Sequence, residues 1–235
     1  MKTIIITGCS SGVGAQTAAY LATYTDITVI GIARREEMLL QLEKKISDSN
    51  PAGKFIPLAF DINENDRFGE LVSKIKKLVP SINGLINNAG VLIKKPFADI
   101  TPNDFGMSMQ TNFKAPFFLI QALLPLFESR SHIVNISSMG GVQGSVKFPE
   151  MSIYSASKAA LANLTESLAV ELAENKISVN CIAPGAVQTE MLEKAFPGYK
   201  AQVTPEEMGE FVGSFVLTGH HFFNGKVLPL STSTP

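Results

Sequence analysis

Thr7-Gly8-Cys9-Ser10-Ser11-Gly12-Val13-Gly14 is the stretch from which the fold is read. It follows the β-branched run Thr3-Ile4-Ile5-Ile6 and passes directly into a helical pattern over 13–23. Glycines at such a junction permit a tight turn and let the backbone approach a pyrophosphate closely. The helix that follows offers unpaired N–H groups and the positive end of its dipole. Glycines in a turn are weak evidence alone, because any tight turn can use them. Their place at the first strand–helix junction is what points to a dinucleotide. Gly8, Ser10, Ser11, Gly12, Val13 and Gly14 are therefore candidate cofactor-binding residues.

Working outward, short β-branched runs alternate with longer helical patterns. Strands are predicted over 3–7, 27–33, 55–60, 84–87, 132–137, 178–183 and 226–230. Helices are predicted over 13–23, 36–49, 65–79, 102–127, 154–174 and 205–217. Several strands are continuously apolar, as strands buried on both faces are. The alternation predicts a Rossmann-type doubly wound α/β fold: a mostly parallel seven-stranded sheet with helices on both faces. Ligands of such sheets bind beyond the carboxyl ends of the strands. No repeat, linker or composition break divides the 235 residues, so one domain over 1–235 is expected.

Composition narrows the function. Twenty basic against twenty-one acidic side chains leave a net charge of -1, which gives no global field for nucleic acid or an anionic membrane. Two cysteines, Cys9 and Cys181, are too few for a disulfide framework, and three histidines lack ligand spacing, so no metal is expected. The start lacks a signal-peptide pattern, and the most apolar stretch, 115–127, is too short to span a bilayer and holds two prolines. The expectation is a soluble, reduced, cytoplasmic protein.

The second strand ends Gly31-Ile32-Ala33-Arg34-Arg35. An acid here would favour NAD, whereas an arginine can accept a 2′-phosphate through charge-assisted hydrogen bonds. Arg34 thus favours NADP(H), with NAD(H) possible, and one of the two arginines is expected to be simply solvated. Glu36 and Glu37 read as first-turn acids stabilised by the helix dipole. Asp61, with Ile62 beside it, closes the third strand. It could accept from an adenine amino group or form an Asx turn.

Tyr154 and Lys158 stand four residues apart at the start of a helical pattern, hence on one face. A free phenol titrates near ~10, and lowering it by ~3 units needs about 4 kcal/mol of preferential phenolate stabilisation. A neighbouring ammonium could supply a large share. Such a tyrosine could protonate a carbonyl oxygen, or take the proton from an alcohol in reverse.

The 7–14 loop, Asn87-Asn88-Ala89-Gly90 after a strand, Asn112, Ile136-Ser137-Ser138, the Tyr154/Lys158 pair and Pro184-Gly185 occur in one order. Together they strongly resemble the short-chain dehydrogenase/reductase family over nearly the whole chain. The resemblance implies Tyr154 as acid/base and Lys158 as the residue that lowers its pKa and holds the nicotinamide ribose. It implies that Ser138, rather than Ser137, bonds the substrate oxygen, and that Asn112 anchors a water relay to the lysine. Asn88, Ala89 and Gly90 would lie along the adenosine side. Pro184, Gly185, Val187 and Thr189 would cover the nicotinamide carboxamide.

The match loosens in places. The 139–153 segment is longer than in many relatives, and Val142, Val146, Phe148, Pro149 and Met151 could line a substrate pocket or simply pack the loop. Met191, Leu192, Ala195 and Phe196, within 189–204, could form an apolar lid. After the last predicted strand the family's usual Asp-Gly-Gly is replaced by 231–235, which leaves a homodimer as open as a homotetramer. The leading function is an oxidoreductase acting on a carbonyl/alcohol small molecule. A non-catalytic dinucleotide-sensing protein would be expected to have lost the tyrosine or the lysine. A nucleotide-sugar epimerase or dehydratase would normally need a further substrate domain.

Overall fold

The computed structural model describes residues 1–231. The strands are β1 (Lys2–Thr7), β2 (Ile27–Ala33), β3 (Lys54–Ala59), β4 (Ile82–Asn87), β5 (Phe127–Ile136), β6 (Ser178–Pro184) and β7 (Val227–Leu230). They form one sheet in the order β3-β2-β1-β4-β5-β6-β7, and every pairing is parallel. The reversal of order between β1 and β4 opens a crevice at their carboxyl ends, where the candidate residues converge.

The helices are α1 (Gly12–Leu21), α2 (Glu36–Asp48), α3 (Phe68–Leu78), α4 (Pro102–Met109), α5 (Ala115–Leu123), α6 (Ser152–Glu171), α7 (Glu190–Ala195) and α8 (Pro205–Thr218). Successive side chains in a strand point to opposite faces, so β1 feeds two cores. Ile4 and Ile6 pack with Leu21, Leu39, Val212 and Val216, beneath α1, α2 and α8. Ile5 packs on the other face with Leu71, Ile75, Leu119 and Leu123, beneath α3 and α5. This two-sided burial is why the strands read as unbroken apolar runs.

Three local readings are corrected. The single helix predicted over 102–127 is two helices joined by a π-turn, Gln110–Lys114, in which the Ala115 N–H reaches back to the Gln110 carbonyl. The cause is Pro116, which has no N–H to give the Asn112 carbonyl four residues earlier, so the ladder slips to a wider step. Pro125 sits in a 3₁₀ turn that ends the helical stretch, and β5 starts at Phe127 rather than at 132. The stretch after Thr189 contains the short helix α7, whose end Thr189 caps by accepting from the Leu192 N–H at 3.3 Å.

The reading of 231–235 falls largely outside the described residues, since only Ser231 is described. Among the described residues no helix is long and apolar enough to cross a membrane, and no group of three His, Cys, Asp or Glu could hold a metal ion.

Candidate active site

The loop after β1 is shaped by close backbone approach. Gly8 has φ +69°, and a Cβ there would stand 2.7 Å from Ala89 Cα. A Cβ on Gly14 would strike Asn88 Nδ2 and lie 2.5 Å from the Gly8 carbonyl. Asn88 straps the loop by donating to the carbonyls of Thr7 (3.0 Å) and Gly8 (3.2 Å). The Thr7 hydroxyl accepts from the N–H groups of Asn88 and Ala89, both at 3.1 Å. Asn88 and Ala89 are thereby placed against the 7–14 loop, whereas the sequence reading set them along the adenosine side of a cofactor.

This loop delivers α1 with Ser11 at its N-cap, no side-chain cap and no acid in the first turn. The first N–H groups are left to a ligand. Gly12, Val13 and Gly14 open the helix, and the Thr189 side chain lies over Gly12, 3.5 Å from where its Cβ would be. The donor set therefore fits a dinucleotide pyrophosphate, with the post-β6 segment folded across it.

At the end of β2 the two arginines divide. Arg34 is 70 % exposed and faces Asp61 at 3.7 Å. Arg35 instead donates to the hydroxyls of Ser10 (3.0 Å) and Ser11 (3.2 Å). The sequence pointed to Arg34, yet it is Arg35 whose guanidinium reaches the phosphate loop. Their adjacency gave no means of choosing between them, because the direction of each side chain depends on how α2 leaves the strand. Asp61 forms the Asx turn considered as its second reading, with Oδ1 accepting from the Asn63 N–H at 3.0 Å; Ile62 beside it is buried.

Past β5, Ser137 and Ser138 point in different directions. Ser137 is buried and donates to the Lys158 carbonyl at 2.8 Å, so it does not face a substrate. Ser138 is half-buried and accepts from the Gly140 N–H at 3.2 Å. Tyr154 and Lys158 open α6 and share one face, with Lys158 Nζ 6.0 Å from the centroid of the Tyr154 ring. Lys158 donates to the Ile136 carbonyl at 2.8 Å. A Cβ on Gly90 would lie 3.3 Å from both Lys158 Nζ and Asn112 Oδ1, so Gly90 gives the lysine its room.

Electrostatics differ from the sequence expectation. Burial pushes the Tyr154 phenol above its ordinary value, and the Ser138 hydrogen bond acts the other way. Burial lowers Lys158 to about 8. The protein by itself therefore keeps the phenol protonated. Desolvation outweighs the lowering by Ser138, and the lowering expected from Lys158 is not among the influences on the phenol.

Asn112 is wholly buried, and its carboxamide does not face the cleft. It accepts from the Val91 N–H and donates to the Val91 carbonyl, both at 2.9 Å, and donates to the Ser157 hydroxyl at 2.9 Å. On the far wall, β6 ends at Pro184, and Gly185 donates to the Leu230 carbonyl at 2.8 Å. Val187 is buried and bridges Val203. Three features were not foreseen: the contact of Arg35 with the loop, Ser157, and the Lys94–Glu150 pair that joins the aromatic residues Phe148 and Phe196, both named from the sequence, into a clasp. In that clasp Lys94 pairs with Glu150 at 3.2 Å and lies 4.8 Å over the Phe196 ring, which meets Phe148 edge-on. For Ser157, the three-residue step from Tyr154 was the available signal.

With this geometry in place, comparison with known proteins is informative. Residues 2–200 match the family model for the short chain dehydrogenases. The chain is 31 % identical over 232 residues to an NADP-dependent 3-hydroxy acid dehydrogenase of Schizosaccharomyces pombe, covering 92 % of this chain and 87 % of that one. It is 31 % identical over 195 residues to a 3-oxoacyl-[acyl-carrier-protein] reductase of Thermotoga maritima, covering 82 % and 77 %. A solved short chain dehydrogenase structure from Shigella flexneri, complexed with NADP, superposes with a TM-score of 0.86 at 30 % identity, covering 97 % and 96 %. The chain belongs to the short chain dehydrogenase family, oxidoreductases that act on CH–OH/C=O groups with NADP or NAD.

Proposed function

We propose that this protein is an NADP(H)-dependent oxidoreductase in which Tyr154 is the acid/base for a carbonyl/alcohol pair. The observation that carries this is the pair Tyr154 and Lys158, buried together one turn apart at the start of α6, with Ser138 acting to lower the phenol. When bound, the nicotinamide supplies the hydride chemistry; the chain's own residues orient the substrate and move the proton. Ser138 and the Tyr154 hydroxyl form a pair of donors for one substrate oxygen. In reduction the phenol gives its proton to that oxygen, a role served by a phenol that burial keeps protonated. In oxidation the same phenolate oxygen takes the alcohol proton. Lys158 stays largely protonated at neutral pH and holds the ribose side of the site.

The preference for NADP(H) rests on the end of β2, where Arg34 and Arg35 stand and no acid does. Arg35, already directed at Ser10 and Ser11, is the better placed to meet a 2′-phosphate, with Arg34 and Asp61 flanking the adenosine. Asn88, Ala89, Gly90, Pro184, Gly185, Val187 and Thr189 complete the cofactor walls, and the chain works as one domain over 1–235.

Substrate selection falls to the loops about 139–153 and 189–204. Phe97, Phe148, Pro149 and Met151 line a cavity of about 400 Å³ beside Ser155, which favours a carbonyl compound with an apolar body. The two curated relatives described above are named for 3-hydroxy and 3-oxoacyl chemistry, so 3-oxo acyl compounds head the trial set. Exposed Phe105, Met107, Phe117 and Phe118 on α4 and α5 favour self-association, as a homodimer or homotetramer. The deciding experiment follows loss of NADPH and NADH absorbance across a panel of carbonyl compounds. Turnover of none of them would remove the reading.

A further inference from the structure

The residue between the motif's tyrosine and lysine that is most completely enclosed is Ser157, which has no exposed surface. Its hydroxyl donates to the Tyr154 carbonyl at 2.7 Å and accepts from Asn112 Nδ2 at 2.9 Å. The same carboxamide closes a two-bond ring with the Val91 backbone, both bonds at 2.9 Å. One side chain thus joins three separate segments: the loop after β4, the π-turn, and the second turn of α6. The Ser157 hydroxyl is the only part of that joint that touches the catalytic helix turn.

The π-turn makes this arrangement possible. Slipping the ladder at Gln110–Lys114 turns Asn112 inward, where an ordinary helix would hold it on the regular spiral. The neighbouring residues depend on the outcome. Gly90, next to Val91, brackets Lys158 Nζ and Asn112 Oδ1 at equal distances, so movement of the π-turn also moves the lysine's wall. A helix N-terminus is where a backbone frays, because its first N–H groups have no acceptor within the helix. Tyr154 is the third residue of α6. A second bond to its carbonyl from Ser157, itself anchored by Asn112, fixes the height of the phenol relative to Ser138.

We infer that Ser157 is a positioning residue for the proton transfer, carrying the rigidity of the Asn112–Val91 joint onto the Tyr154 backbone. Ser137 does the matching service one turn later, donating to the Lys158 carbonyl at 2.8 Å. Two buried hydroxyls therefore hold the two reactive side chains by their own carbonyls. A displacement of the phenol by even a fraction of an ångström lengthens the path of its proton to the substrate oxygen, which lowers turnover while the remaining substrate and cofactor contacts stay in place.

The inference rests on Tyr154 being the acid/base, and Tyr154→Phe is assayed beside the Ser157 variants so that the two readings can fail separately. In Ser157→Ala, kcat should fall at least tenfold. NADPH affinity and substrate KM should stay within about threefold, and the pH midpoint of kcat should move. Ser157→Thr, which restores the hydroxyl, should recover kcat to within about threefold. Ser157→Cys fills the same space with only weak hydrogen bonding and should resemble alanine, supplying the test if the alanine cavity prevents folding. A folded alanine or cysteine variant with unchanged kcat and pH midpoint overturns the inference, provided Tyr154→Phe is inactive. So does a threonine variant that binds NADPH but is as slow as alanine. Failure of both Ala and Cys to fold also overturns it, since the hydroxyl would then serve the fold rather than the proton path. Full activity in Tyr154→Phe overturns the underlying reading instead.

Discussion

Lys158 Nζ lies 6.0 Å from the centroid of the Tyr154 ring and spends one of its three protons on the Ile136 carbonyl at 2.8 Å. The ammonium therefore sits beyond the ring, anchored to the end of β5. Burial sets the phenol high and lowers the ammonium to about 8, so desolvation favours the neutral form of each.

Replacing Tyr154 with Phe removes the proton and leaves the ring. Loss of one positioned acid/base typically costs 10²–10⁴-fold in rate, so kcat should fall by about three orders of magnitude. NADPH affinity, read by fluorescence titration, should change little, because the phosphate loop is untouched.

Arg35 and Arg34 separate by cofactor. Charged hydrogen bonds contribute about 1.5–3 kcal/mol each, so Arg35→Ala should lower kcat/KM for NADPH roughly tenfold to a hundredfold while NADH is almost unaffected. Arg34→Ala should have the smaller effect of an exposed side chain. Equal loss for the two cofactors in Arg35→Ala would place the guanidinium away from the 2′-phosphate.

Gly14→Ala forces a Cβ against Asn88 Nδ2 and the Gly8 carbonyl, both parts of the cradle. Overpacking of this kind costs about 1–3 kcal/mol. The variant should lose thermal stability and NADPH binding together, as seen by a melting curve with and without cofactor. Retention of wild-type affinity would show that the loop can relax at no cost to the site.

The clasp over the cleft joins Lys94, Glu150, Phe148 and Phe196. A cation–π contact at a partly exposed site contributes about 0.5–1 kcal/mol. Phe196→Ala should therefore raise KM for the preferred carbonyl substrate several-fold with kcat within about twofold. A fall in kcat alone would assign Phe196 to the chemistry rather than to the lid.

His132 gives the fold an acid sensitivity. It is buried, bonds the Val216 carbonyl at 3.1 Å and Asn180 at 2.9 Å, and faces His220; burial lowers it to about 4. Between its ordinary value of 6.5 and 4 the unfolded chain binds the proton that the folded one refuses. Stability should fall as pH drops through that window and level off below it. At about 1.4 kcal/mol per unit the loss approaches ~3 kcal/mol. In His132→Gln, denaturant midpoints should decline less steeply between pH 6.5 and 4, and an unchanged slope would refute the assignment.

The fold was legible because it depends on period and order. Ile4, Ile5 and Ile6 are all buried, and only a strand covered on both sides explains three such residues in succession. The turn at 7–14 was legible for a related reason: a Cβ at Gly8 or Gly14 cannot be accommodated, so the chain must carry glycine there. Less was legible in the helix predicted over 102–127, where periodicity continues through the π-turn, and the effect of Pro116 on the carbonyl of Asn112 becomes plain only with coordinates.

What the sequence determined by itself is the layered sheet, the cradle at the carboxyl end of its first strand and the Tyr154–Lys158 pair, because each follows from local rules: alternation, glycine geometry and the pitch of a helix. The tertiary structure alone decided that Arg35 rather than Arg34 reaches the loop, that Asn112 turns inward to Val91 and Ser157, and that burial raises the phenol instead of lowering it. Those outcomes depend on the directions of neighbouring elements and on the water that packing removes, and neither is written in the spacing of residues along the chain.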